Sequence, residues 1–287
     1  MQDAVQINQA TRGSGMRLVA GDLAYQRHLL VNVIFSGLPG GGDRSWVLID
    51  TGLFFSARRI LRGAERRFGP GARPAAIVLT HGHFDHVGAL RRLAARWEVP
   101  VYAHPLELPH ITGQARYLPP NPLAGGGLMA LLSVLYPRGP IDVGSYARPL
   151  PADGSVPGMP GWRWIHTPGH TAGHVALFRD DDGVLVAGDA FVTTKQESLL
   201  AVLTQRREVH GPPAYFTPDW RSARQSVETL AALEPARVIS GHGRAMEGVR
   251  LREDLHRLAH DFGRRAVPRH GRHAPPARAR ARELRTA

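Results

Sequence analysis

A chain of 287 residues, 43% hydrophobic and 21% charged, can bury a sizeable core without covalent staples and has the balance of a globular protein. It contains no cysteine, which excludes a disulfide framework, a thiolate metal site and a cysteine nucleophile, so any metal must be held by imidazole and carboxylate. Much of the formal charge of +12 lies in residues 263–287, where eight arginines meet one acid, Glu283, and no aromatic platform or helix-turn-helix pattern accompanies it, so nucleic acid is not the expected partner.

Residues 1–21 show no basic start followed by an apolar stretch, and the longest apolar run, Leu128 to Tyr136, is too short to span a bilayer. The expectation is a cytoplasmic protein with a small-molecule substrate and no membrane; the sequence does not fix an oligomeric state, with a homodimer as one option.

In chain order, Met16 to Ala20, Leu29 to Phe35 and Trp46 to Ile49 read as strands, with a glycine-rich hairpin loop from Gly37 to Asp43. Asp50-Thr51-Gly52 closes a strand with a sharp turn, and Ser56 is placed to cap a helix reaching about Phe68. Ile77 to Leu79 form a short buried strand, Val87 to Trp97 a helix and Val101 to Ala103 a further strand. Strand-helix-strand units in succession predict an α/β layered fold. Residues 104–161, with eleven prolines and a single helical run at Leu128 to Leu135, read as a lid-like insertion. Strands follow at Trp162 to Ile165, Ala176 to Phe178 and Val184 to Ala187, the last two joined by the turn Asp180 to Gly183. A loop from Phe191 to Pro218, a helix from Trp220 to Leu233, a strand from Arg237 to Ser240 and a helix from Met246 to Phe262 complete the expected domain, residues 1–262. Residues 263–287 read as a basic, disordered tail.

The chemistry is concentrated in His81-Gly82-His83-Phe84-Asp85-His86. Offsets of 0, 2, 4 and 5 cannot share one face of a helix or a strand, but a loop curled around an ion can use all four. Three single residues share its strand-end, glycine-flanked context: His170 in Thr167-Pro168-Gly169-His170, Asp189 in Gly188-Asp189-Ala190, and His242 in Gly241-His242-Gly243. Five imidazoles and two carboxylates are too many for one tetrahedral zinc and suit two ions sharing a carboxylate. Asp85 is the candidate catalytic residue, placed to orient a hydroxide and pass its proton to the leaving group. His174 follows His170 closely and stands as a weaker candidate ligand.

The run His81-x-His83-x-Asp85-His86, followed in order by His170, Asp189 and His242, resembles the metallo-β-lactamase-fold hydrolase superfamily over roughly residues 16–262. The resemblance implies a four-layer αβ/βα sandwich, two mixed β-sheets flanked by helices. It also implies two divalent ions, zinc in first place with iron or manganese as alternatives. His81, His83 and His170 would hold one ion, Asp85, His86 and His242 the other, with Asp189 bridging them and Asp50 orienting the metal loop. The implied activity is that of the glyoxalase II and lactonase branch: a metal-bridging hydroxide attacks a small ester, lactone or thioester. The alternatives are a nucleic-acid phosphodiesterase of the same fold and a mononuclear iron relative of the dioxygenase kind. The cysteine common among second-metal ligands of zinc β-lactamases is absent, which argues against β-lactam hydrolysis. The tyrosine that often follows the bridging aspartate in lactonases is replaced by Ala190-Phe191, leaving Tyr117 or Tyr215 as candidates to polarise a carbonyl.

Overall fold

The computed structural model describes residues 15–268 and 270, so the greater part of the expected basic tail lies outside the described residues. The chain forms two compact units: one runs to Tyr117 and includes Gly139–Trp164, the other comprises Leu118–Arg138 and the chain from Ile165 onward. The fold is α/β, with two mixed sheets flanked by helices.

The first unit is built on a seven-stranded sheet in the order β1-β2-β3-β4-β5-β6-β7. Its strands are β1 (Met16–Ala20), β2 (Leu23–His28), β3 (Val31–Ser36), β4 (Val47–Ile49), β5 (Ala76–Val78), β6 (Val101–Ala103) and β7 (Ala147–Pro149). The first four strands pair antiparallel and the rest parallel. Its helices are α1 (Ala57–Phe68), α2 (Phe84–Val87), α3 (Leu90–Trp97) and α4 (Leu108–Ile111). Ile60, Ala64 and Phe68 of α1 and Leu90, Leu93 and Trp97 of α3 pack in one cluster with Phe35, Trp46, Leu48 and Ile77. The residues of β3, β4 and β5 are buried on both faces, which is why these strands read as unbroken apolar runs.

The second unit carries α5 (Leu128–Leu132) and a five-stranded sheet in the order β12-β11-β10-β9-β8. Its strands are β8 (Trp162–His166), β9 (Val175–Arg179), β10 (Val184–Gly188), β11 (Arg237–Ser240) and β12 (Met246–Glu247). Helices α6 (Leu199–Thr204), α7 (Trp220–Ala231), α8 (Gly248–His260) and α9 (Phe262–Arg265) follow. Ala223, Val227 and Leu230 of α7 and Leu251, Leu255 and Leu258 of α8 pack with Phe178, Leu185 and Val238.

Several sequence-based boundaries need correcting. The stretch Leu29 to Phe35 hides a hairpin, because Leu29 takes a left-handed φ of 59° and turns the chain between β2 and β3. The helix expected from Val87 begins three residues earlier as α2, so Asp85 and His86 lie on a helical turn rather than in open loop. Ser56 holds the N-cap position of α1 without a capping side-chain bond. Residues 104–161 hold α4, α5 and β7 and divide between the two units. The loop 191–218 contains α6. Met246–Glu247 is a strand ahead of α8, and the segment after Phe262 starts as α9, with Ala266 buried in the second core.

One buried base in the first unit has a measurable consequence. His28, at the end of β2, is almost wholly buried, and burial, with the Arg59 charge second, pulls its pKa down to about 4. The unfolded chain keeps the ordinary value and binds more protons between that value and about 4, so stability falls as pH drops through this window and levels off below it. The expected span is about 3 kcal/mol. Urea midpoints of the metal-free chain from pH 7 to 4 should show this slope, and His28→Gln should flatten it.

Candidate metal centre

In the first unit the ligand loop leaves β5 and is tied down over a few residues. Thr80 N–H donates to Asp50 Oδ1 at 2.8 Å, and Thr80 Oγ1 donates to Asp50 Oδ2 at 2.7 Å. The backbone carbonyl of His86 accepts from Thr51 N at 2.6 Å and from Thr51 Oγ1 at 2.8 Å. Gly88 N donates to Gly52 O at 2.8 Å. Gly88 has ordinary helical backbone angles. Its need for glycine comes from space, since a Cβ there would stand 2.4 Å from Phe54 N. Asp50 itself is held at φ 57°, a left-handed conformation that Asp tolerates better than most residues.

These contacts fix the imidazoles. His86 Nδ1 lies 2.8 Å from Asp50 Oδ2, which makes Nδ1 the protonated nitrogen and Nε2 the one a cation would use. Thr80 Oγ1 gives its only proton to Asp50, so at 3.1 Å it accepts from His81 Nδ1 and leaves His81 in the same tautomer. The rings of His81 and His83 stand 4.8 Å apart and those of His81 and His86 4.1 Å apart. His81, His83, Asp85 and His86 are all buried. Gly82 N–H, between two of them, donates to Glu107 Oε2 at 2.9 Å and to Tyr117 Oη at 3.0 Å, and the Tyr117 hydroxyl donates to Glu107. Tyr117 also stacks on His110 and sits 4.5 Å from the His83 ring. Burial, then the Glu107 charge, pushes its hydroxyl pKa well above the ordinary value, so it stays a neutral donor.

In the second unit, Asp189 follows β10 and His242 follows β11, neighbouring parallel strands, while His170 lies between β8 and β9. His170 Nε2 is 3.6 Å and His242 Nε2 3.1 Å from Asp189 Oδ2, and all three residues are buried. Thr217 Oγ1 donates to Pro213 O at 2.9 Å and so accepts from His170 Nδ1 at 3.1 Å, again making Nε2 the nitrogen a cation would use. His174 accepts the backbone N–H of Asp189 on its Nε2 at 2.8 Å and engages Thr167 Oγ1 through Nδ1. Both of its nitrogens are spent on protein contacts, so it holds the Asp189 turn in place.

The residues that could take part in holding a metal ion are His81, His83, Asp85 and His86 in the first unit and His170, Asp189 and His242 in the second. An all-nitrogen and oxygen donor set of this kind, with imidazole Nδ1 atoms anchored to carboxylate or hydroxyl, fits a borderline divalent ion. Of the two tyrosines open from sequence, Tyr117 adjoins the ligand loop, whereas Tyr215 is buried beside Tyr136 and Phe216. Glu107, Thr217 and the role of His174 escaped the sequence reading; among them only the Gly173-His174 pairing gave a local signal.

A profile of the metallo-beta-lactamase superfamily matches residues 18–242. The chain belongs to that superfamily. It is 51% identical over 230 residues to the probable metallo-hydrolase YflN of Bacillus subtilis, covering 80% of this chain and 87% of the relative. Among solved structures, the superfamily member's fold is similar to TTHA1623 in a di-iron-bound form, with a TM-score of 0.52 and 26% identity over 78% of this chain and 92% of that one. A beta-lactamase domain protein from Burkholderia ambifaria, 19% identical, shares the fold with a TM-score of 0.59 over 88% of this chain and 77% of that one. Among the described residues, no helix is long and apolar enough to cross a membrane.

Proposed function

We propose that this superfamily member is a dinuclear metal-dependent hydrolase that cleaves a small ester, lactone or thioester. The observation that carries this reading is the position of Asp189, whose Oδ2 lies near an imidazole from each proposed ligand set, His170 for the first ion and His242 for the second. A carboxylate so flanked is suited to bridge two cations. The name of the Bacillus subtilis relative and the two irons of TTHA1623 are in keeping with it.

Two divalent ions would supply an acidified water as nucleophile and a Lewis acid for the attacked oxygen. The chain's own residues do the positioning. Asp50 and Thr80 hold His81 and His86 in the tautomers a cation needs, Thr217 does so for His170, and His174 fixes the Asp189 backbone. Asp85, buried on the first turn of α2, is the carboxylate assigned to orient the nucleophilic water and carry its proton to the leaving group. Tyr117, neutral across the working pH range, gives its proton to Glu107 and accepts from Gly82 N–H, and so braces the ligand loop between His81 and His83.

Elemental analysis of the purified protein should give about two ions per chain, zinc or iron, as expected where a carboxylate is shared. A panel of p-nitrophenyl esters, lactones and thioesters, with a chromogenic β-lactam and a phosphodiester, should show turnover confined to the esters, lactones or thioesters. One iron per chain with oxygen consumption, or cleavage of the phosphodiester alone, would overturn the assignment.

A further inference from the structure

The apolar run Leu128 to Tyr136, too short to cross a bilayer, has no part in the metal centre. In the second unit it folds as α5 followed by a single 3-10 turn, and it leaves Leu131, Val134 and Leu135 exposed, Leu135 by 76%. Helix α6 does the same with Leu200 and Leu203, exposed by 71% and 70%. The two elements adjoin: a Cβ on Gly127, the N-cap of α5, would stand 2.3 Å from the carbonyl oxygen of Glu197, one residue before the Ser198 cap of α6. A cluster of exposed large aliphatic side chains on two neighbouring helices marks an interaction surface rather than scattered apolar positions.

Charge selects the partner. The apolar run ends at Arg138, and residues 118–138 contain no acid. Helix α6 is followed directly by exposed Arg206 and Arg207. Of the acids flanking α6 in the sequence, Glu208 lies 4.0 Å from Arg206, and Glu197 is buried with its Oε1 accepting Ala214 N–H. A symmetric contact between two copies would bring the same arginines toward one another, whereas an anionic surface accommodates leucines and arginines together. Arginines beside an apolar helix face can reach headgroups while the leucines enter the acyl boundary.

We propose that α5, its 3-10 extension and α6 form a docking face for an anionic lipid bilayer, gripped by Leu131, Leu135, Leu200 and Leu203 and steered by Arg206 and Arg207. This departs from the sequence expectation of no membrane, which rested on the lack of a spanning segment; a surface-bound helix needs none.

The test is co-sedimentation of the full chain with phosphatidylglycerol-containing vesicles and with pure phosphatidylcholine vesicles. The parent should bind the anionic vesicles far better. The exposed-site variant Leu135→Ser/Leu200→Ser/Leu203→Ser, with an unchanged unfolding midpoint, should bind them roughly tenfold more weakly or worse. The arginine-rich C-terminal segment is the same in both proteins, so the difference reports the face alone. Because the chain has no cysteine, Leu200→Cys provides a single thiol for an environment-sensitive fluorophore, whose emission should shift to the blue only when anionic vesicles are added. Equal binding of parent and triple variant would overturn the proposal. So would a blue shift without lipid that tracks a concentration-dependent dimer, which would assign the face to a second copy.

Discussion

Asp189→Ala is expected to strip the protein of metal and to lower turnover by about a thousandfold or more, equivalent to about 4 kcal/mol of transition-state stabilisation. The physical reason is its place between His170 Nε2 and His242 Nε2: without the carboxylate, neither ion of the proposed pair keeps its shared anion. The fold should survive. The contact that holds this turn is the backbone N–H of residue 189 on His174, which alanine retains. Removing a buried carboxylate from the metal-free site also relieves a desolvation cost, so the unfolding midpoint of the metal-free variant should not drop. His83→Ala should behave alike in metal content and turnover. Elemental analysis, the substrate panel and urea unfolding together give the readout; full turnover by either variant on every substrate the parent hydrolyses would sink the site assignment.

Asp50→Asn should have the second largest effect, although Asp50 is assigned to no metal. The native carboxylate accepts three hydrogen bonds, from Thr80 N, Thr80 Oγ1 and His86 Nδ1. An amide can present only one oxygen, and its NH₂ group would face a protonated donor whichever way it is turned. The relief is for His86 to move its proton to Nε2, which removes the lone pair a cation requires. Metal affinity and activity are expected to fall by about 10–100-fold, and stability by about 1–3 kcal/mol from the strained or unmade bonds in a buried position. The discriminating measurement is metal occupancy: the asparagine variant should lose the ion assigned to Asp85, His86 and His242 before the other. Equal loss of both would assign Asp50 to the loop as a whole rather than to His86.

The α/β class and most strands were legible because buried strands here are short, unbroken apolar runs and the turns between them are marked by glycine or aspartate, as at Asp180 to Gly183. Errors fell where a residue acted against its usual preference. Leu29 turns a chain in a left-handed conformation that gives no sequence signal, and the first helical turn after His83 starts without a capping side chain. The elements within residues 104–161 were hidden for a different reason. High proline content reads as one excursion, but β7 is recruited to the edge of the first sheet by pairing with β6, a contact between residues far apart in the chain.

The sequence by itself determined the candidate donor set: four potential ligands packed into six residues are a local pattern, and strand-end context was enough to bring His170, Asp189 and His242 into the same reading. It also determined, by the lack of cysteine, that those donors are nitrogen and oxygen only. Only the tertiary structure decided how the donors are held and in which protonation state. The bonds that do this join Asp50 to His86, Thr217 to His170, Glu107 to Gly82 and His174 to Asp189, and each partner is an ordinary polar residue until the fold brings it within about 3 Å of a ring or a backbone amide. Metal ligation leaves a mark in spacing because one short loop must present several donors close together. Second-layer hydrogen bonding leaves almost none, because any strand or helix that passes close enough can supply it.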